Sequence, residues 1–162
     1  MDNNIFLNRL KLWFYEPIEL FPWLEKQIEV CPDDLWDKKV SGLYFWQYIL
    51  HAFISVHWWL REENTEFTEP YKDEKNLYSQ IEKEPQKKLS KDDMRKFCKE
   101  TKEFAEKWFN GKDDDWLKKT SKLYDRWQNW EVIVGQVSHL SYHVGYSDAI
   151  LRENGISGVW NE

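Results

Sequence analysis

Apolar positions recur at helical spacing in four long stretches of the chain, and no useful length alternates apolar and polar residues as a strand would. The first helical pattern begins at Ile5 after an asparagine cap, is interrupted around Pro17 and Pro22, and resumes up to Cys31. The second runs from about residue 42 to 62 and is apolar on nearly all sides. This pattern predicts that the second helix is the central one.

The third and fourth helical patterns have recognisable ends. Ser90 precedes an acidic first turn with Asp93 three residues later, which is a relative of the capping box. Asn110 and Gly111 provide a typical end for that helix. The last helix is predicted from about residue 130 to 153, where Asn-Gly again follows.

A polar connection over residues 61–90, interrupted by two prolines, separates the second and third helices. Connections of this length are uncommon in compact domains unless they are functional or contain short elements. The pattern as a whole predicts an all-α fold: a four-helix bundle with a long, partly irregular connection between helices 2 and 3. Residues 1–162 are predicted to form one domain.

Composition and charge exclude several classes of function. The chain has a net charge of −6, and its charges of both signs are interspersed, so it lacks the basic patch that is typical of a nucleic-acid-binding protein. Residues 42–60 carry no formal charge, but tryptophan and tyrosine occur throughout that run, which favours a buried helix over a membrane span. Cys31 and Cys98 match no metal or redox spacing, and the N-terminus does not resemble a signal peptide. A reduced cytoplasmic protein is predicted, with a single disulfide left open.

All four histidines lie in the two most apolar helices. His139 and His143 are spaced i, i+4, so both rings lie on one helix face, and a third imidazole from a neighbouring helix would complete a three-nitrogen metal site. His51 and His57 lie in the second helix, six residues apart, and therefore point to different sides. We interpret His57 as a hydrogen-bonded core or edge histidine. Asp148 lies off the His139/His143 face and is predicted to be exposed.

Two stretches carry a resemblance to a known family. YILHAFISVHWWL, followed much later by HLSYHVGYSDAILRENGISGVW, resembles the DinB-like superfamily of four-helix bundles. Members of that superfamily carry one histidine in helix 2 and an H-x-x-x-H pair in the last long helix. In this chain those positions are His51, His139 and His143, and Gly145 follows as it does in the family.

The resemblance implies a divalent metal, zinc or nickel, bound by His51, His139 and His143 with an open coordination position. It further implies a metal-dependent hydrolase or thiol S-transferase in which the ion activates water or a low-molecular-weight thiol toward a small-molecule substrate. A homodimer is also typical of the family. The alternative is a non-catalytic metal-binding protein of stress-associated or unknown role, and a third reading is a scaffold in which the histidines bind no metal.

Further side chains are predicted to orient the metal ligands or to flank them. Tyr48 lies about one turn before His51, and Gln136 lies about one turn before His139. Gly135, also one turn before His139, is predicted to leave room on that helix face. The complete set of predicted supporting residues is Tyr48, Glu131, Gln136 and Tyr146. Tyr146 stands where relatives often have glutamine or glutamate, so a substrate role tied to that position does not transfer to this chain.

Overall fold

The computed structural model describes residues 4–15, 19–63, 65–67, 84–85 and 87–159. The described part is mostly α-helical, which confirms the predicted all-α class. Its elements in chain order are α1 (Ile5–Tyr15), α2 (Leu20–Val30), α3 (Asp33–Trp36), β1 (Lys39–Val40), β2 (Leu43–Tyr44), α4 (Phe45–Trp59), α5 (Lys91–Phe109), α6 (Asp114–Leu117) and α7 (Asn129–Glu153). Residues 68–83, most of the predicted polar connection, lie outside the described part.

Helix α4 is the central element, as its apolar pattern predicts. It packs against α5 and α7, and α2 packs against the same two helices. Eleven of the fifteen residues of α4 are buried, including Trp46 and Phe53. Helix α1 lies on α2 and α7. The core between these helices is rich in aromatic rings because large side chains such as Phe14 and Phe21 fill it.

Helix α4 begins at Phe45, later than its sequence pattern suggests, because a two-stranded antiparallel hairpin precedes it. Lys39 pairs with Tyr44, and Val40 pairs with Leu43. The two residues of the turn, Ser41 and Gly42, have φ values of 50° and 94°. Positive φ at both central positions is typical of two-residue hairpin turns. Each strand has only two residues, which is too short for an alternating sequence pattern to reveal it.

The predicted ends of α5 are confirmed. The Ser90 hydroxyl accepts the Asp93 N–H at 3.1 Å, while the Asp93 carboxylate accepts the Ser90 N–H at 3.4 Å. Gly111 follows the helix at φ 74°, a left-handed conformation that favours glycine. Helix α7 also ends as predicted, at Glu153.

The start of α1 depends on a carboxylate from a distant part of the chain. Asp114, at the start of α6, accepts the N–H groups of Phe6 at 3.1 Å and Leu7 at 2.9 Å. The Asn4 side chain, which the sequence suggested as the cap, accepts the Asp114 N–H at 3.4 Å. Because N–H groups in a first turn have no partner within their own helix, this exchange ties α1 to α6.

The prediction that Asp148 is exposed is wrong, because this side chain is 4% exposed. Its carboxylate accepts Arg152 Nε at 2.8 Å and the Val159 N–H at 2.6 Å, so it holds the segment after α7 against that helix. The two cysteines, Cys31 and Cys98, are buried and not bonded to each other. Among the described helices, none combines the length and the apolar character that a membrane crossing would require.

Candidate metal centre

Three imidazoles from two helices meet at the interface of α4 and α7. His51 comes from α4, and His139 and His143 come from successive turns of α7. Their ring centroids lie between 4.5 and 5.5 Å apart. His139 Nε2 and His143 Nε2 are 3.2 Å apart, and one ring nitrogen of each histidine lies within 4.8 Å of the others. The structure therefore brings together the three histidines that are predicted from the sequence to bind a metal.

The environment keeps these imidazoles neutral. His143 is 8% exposed, and burial, followed by the fields of His51 and His139, lowers its pKa to about 3. Burial also lowers the pKa of His51, with a smaller contribution from His139, and burial lowers the pKa of His139. Neutral imidazole is the form that presents a lone pair to a metal, so the cluster is ready to bind a metal at neutral pH.

Ser55, on α4, determines the tautomer of His139. Its hydroxyl donates to the Ala52 carbonyl at 2.7 Å, so its oxygen is left to act as an acceptor. Gln136 Nε2 donates to that oxygen at 3.1 Å, and His139 Nδ1 lies 3.1 Å from it. His139 therefore carries its proton on Nδ1 and presents the Nε2 lone pair to the cluster. Orientation of a ligating imidazole through its other nitrogen is a general feature of metal sites.

The spacing of one pair of nitrogens fits a metal ion. Two nitrogens bound at about 2.1 Å lie about 3.4 Å apart around a tetrahedral ion and about 3.0 Å apart around an octahedral one. The 3.2 Å between the Nε2 atoms of His139 and His143 falls within that range. His143 Nδ1 is buried without a hydrogen-bond partner in the protein. This nitrogen is not the one that approaches His139, so His143 lacks the kind of hydrogen bond, through its other nitrogen, that orients His139.

The donor set is electrically neutral. Among the described residues, no carboxylate or thiol joins the three imidazoles in a common metal-binding group. A divalent ion held there would keep its full charge, which favours a strong Lewis acid. His51 and His139 are only half-buried, so part of each of these two residues is exposed to solvent.

Tyr48 and Tyr146, two of the predicted supporting residues, lie with their ring centroids 5.0 Å apart. Tyr142 packs edge-on against His143 with 5.1 Å between ring centroids, and it stacks on Tyr146 at 6.2 Å. The Tyr48 hydroxyl donates to the Val40 carbonyl at 2.5 Å, and this hydrogen bond ties Tyr48 to strand β1. Burial, and then a hydrogen bond with Tyr146, raises the pKa of Tyr48, so its phenol stays protonated.

The two remaining predicted supporting residues have different positions. Gln136 is fully buried and reaches His139 indirectly, through the shared Ser55 oxygen. Glu131 lies eight residues before His139, about 12 Å along the helix axis. Its carboxylate accepts the Gln128 N–H at 2.7 Å and so caps the start of α7. The structure brings Gln136 to the cluster and gives Glu131 a helix-capping role.

Gly135 does leave room on the face of α7, and tryptophan rings occupy that room. A Cβ atom at this position would lie 2.9 Å from Trp59 and 3.0 Å from Trp127. The centroid of the Trp59 ring is 6.5 Å from that of His139. Trp59 therefore forms one wall of the histidine cluster, and glycine is required for it to approach α7.

His57 has the structural role that its position predicts. It is half-buried, its Nε2 lies 3.0 Å from Thr101 Oγ1, and its ring stacks on Phe104 at 4.3 Å. Burial lowers its pKa to about 4. His57 thus joins α4 to α5, away from the other three imidazoles.

Ser55 is a site residue that sequence reasoning missed, and Trp59 is a candidate pocket tryptophan that it could not select over Trp58 or Trp130. They follow His51 by four and eight residues, so all three lie on one face of α4. A serine inside an otherwise apolar helix, one turn after a predicted ligand, is the signal that identifies Ser55. For Trp59 there is no comparable signal, because tryptophan is abundant in this chain and mostly fills the core.

Comparison with known proteins gives no family assignment. No protein-family model, curated protein or solved structure matches this chain. The DinB-like resemblance therefore stays a prediction, and it rests on the spacing of the histidines and the order of the helices.

Proposed function

We propose that the chain is a DinB-like four-helix bundle, built from α2, α4, α5 and α7, that holds zinc or nickel through His51, His139 and His143. The packing of both α2 and α4 against α5 and α7 supports the bundle. The observation that carries the metal site is the pair of Nε2 atoms 3.2 Å apart with a third imidazole within reach. Zinc and nickel both accept imidazole nitrogen ligands.

We propose further that the site is catalytic and acts on a small-molecule substrate. A divalent ion held by His51, His139 and His143 would supply a Lewis acid that lowers the pKa of a water or a small thiol, which is the chemistry that a hydrolase or an S-transferase needs. The protein's part is to hold His139 in one tautomer through Ser55. Tyr142, which packs edge-on against His143 and is 64% exposed, would stand between the ion and solvent.

A non-catalytic metal-binding role is the second candidate. It is favoured by the composition of the metal-binding group in the described residues, which consists of imidazoles and includes no carboxylate that could act as a general base. The two candidates share the metal site and differ only in turnover, so metal binding and catalysis need separate experiments.

The first experiment measures metal content. Protein loaded with zinc or nickel and then desalted is analysed by plasma mass spectrometry, for the wild type, His51→Gln and His57→Gln. We expect stoichiometric metal in the wild type and in His57→Gln, and a large loss in His51→Gln. His57 is the matched control because it is a half-buried histidine on the same helix, bonded to Thr101. Absence of stoichiometric metal from the wild type would overturn both candidates.

The second experiment separates the candidates. Metal-loaded protein is incubated with small thiols and an aryl halide electrophile, and in parallel with p-nitrophenyl acetate as a hydrolysis substrate. Turnover that is lost in His139→Gln and after chelation supports the enzyme. Retained metal without turnover across these thiols and esters supports the binding protein.

A further inference from the structure

A cavity of about 420 Å³ lies where the C-terminal ends of α4 and α5 meet α6 and the loop before α7. None of the three clustered histidines lines it. Its volume falls within the range of about 300–1,000 Å³ that is usual for small-molecule sites. Trp59 links it to the histidine cluster, since this ring also lies 6.5 Å from that of His139.

Three tryptophans form apolar walls of this cavity: Trp59 from α4, Trp108 from α5 and Trp116 from α6. The rings of Trp108 and Trp116 lie 5.3 Å apart and almost perpendicular, at 82°. Such faces offer a flat apolar group both stacking and edge contacts.

The charged side chains of the cavity are mostly cationic. Four positive side chains face two negative ones, so the lining has an excess of positive charge in a chain that is acidic overall; these residues are Arg61, Lys112, Lys119, Lys122, Glu62 and Glu63. Lys122 pairs with Glu63 at 2.6 Å. An excess of cations within low-dielectric walls concentrates anions.

Lys112 is the most enclosed of these cations. Its side chain is 13% exposed, and its Nζ lies 4.2 Å from the ring centroid of Trp108 and 5.3 Å from that of Trp116. Nζ also donates to the Trp108 carbonyl. Its carboxylate partner, Glu62, is 3.4 Å away and 64% exposed. The Gly111 turn fixes this position, and an incoming anion can replace Glu62 because that carboxylate can return to water.

We propose that this cavity binds a small organic anion, with its oxyanion on Lys112 and a flat apolar group against the tryptophan walls. A carboxylate and a phosphate share this chemistry. The site is separate from the metal centre, so it is tested on protein freed of metal with a chelator.

Isothermal titration calorimetry measures the affinity for naphthoate, naphthyl phosphate and the neutral naphthalenemethanol. We expect both anions to bind and the alcohol to bind about tenfold more weakly or less, because it lacks a charge-assisted hydrogen bond. The preferred anion identifies the oxyanion. Lys112→Met keeps the apolar stem and should weaken naphthoate binding by about tenfold. Lys118→Met is the control, since Lys118 is exposed and pairs with Asp115.

Equal binding of the alcohol and the anions overturns the proposal, as does equal weakening by Lys112→Met and Lys118→Met. Lack of binding by all three probes at millimolar concentration overturns it as well. If Lys112→Met does not fold, Lys119→Met replaces it, and the comparison of charged and neutral probes on the wild-type protein still decides the outcome.

Discussion

Replacement of Ser55 by alanine tests how the protein orients its metal ligands. The Ser55 oxygen accepts hydrogen bonds from Gln136 Nε2 and from His139 Nδ1, each at 3.1 Å. Alanine removes the acceptor and adds no new group. Both donors are then left without it, and His139 is no longer held with its Nε2 lone pair toward the cluster.

The expected magnitude follows from these two contacts. Loss of a group that orients a ligating histidine typically weakens metal affinity by about 10- to 100-fold, or about 1.4–2.7 kcal/mol. The fully buried Gln136 also loses its acceptor, which should lower the free energy of unfolding of the metal-free protein by about 1–3 kcal/mol.

Zinc affinity is measured by competition with a chromophoric chelator, and stability by urea unfolding without metal. Ser147→Ala is the matched control, because its buried hydroxyl has two acceptors within hydrogen-bond distance, the His143 carbonyl oxygen and Gln27 Oε1, and neither is an imidazole nitrogen. We expect the control to lose stability but keep its zinc affinity. Wild-type zinc affinity in Ser55→Ala would refute the assignment of the His139 tautomer.

Two further predictions concern stability. Gly135→Ala should cost about 1–3 kcal/mol because its Cβ would lie 2.9 Å from Trp59, whereas Gly145→Ala, with open space around its Cβ, should stabilise helix α7 by about 0.5–1 kcal/mol. Urea unfolding checks the pair, and equal effects contradict the packing argument. The pKa of His57 is lowered from 6.5 to about 4 in the folded protein, so its contribution to stability is present above pH 6.5 and is lost as the pH falls toward 4. As the pH falls from 6.5 to 4, the free energy of unfolding of His57→Gln should therefore decrease by roughly 3 kcal/mol less than that of the wild type. Equal decreases in the two proteins would rule out this role.

The sequence predicts the parts of the site that depend on local spacing. The i, i+4 relation of His139 and His143 follows from helix geometry alone, and so does the separation of His57 from His51. The start of α5 is equally local, because Ser90 and Asp93 bind each other's backbone N–H groups.

What the sequence does not reveal depends on contacts between distant segments. Ser55 lies 84 residues from His139, and nothing in either segment specifies their hydrogen bond. The sequence predicts that Asp148 is exposed, because its position on helix α7 does not show that its carboxylate accepts the Val159 N–H in the fold. Glu131 is predicted to support the metal site, yet its carboxylate accepts the Gln128 N–H at the start of its own helix.

The origin of the histidines on α4 and α7 has a consequence for how the chain folds. Because these helices are far apart in the sequence, the three imidazoles converge only after α7 has docked on α4, a contact with a high entropic cost of loop closure. An ion that needs all three nitrogens would then bind the finished fold and have little affinity for earlier states. Metal capture would thus mark the completion of folding, and the rate at which refolding protein acquires metal would report the docking of the last helix.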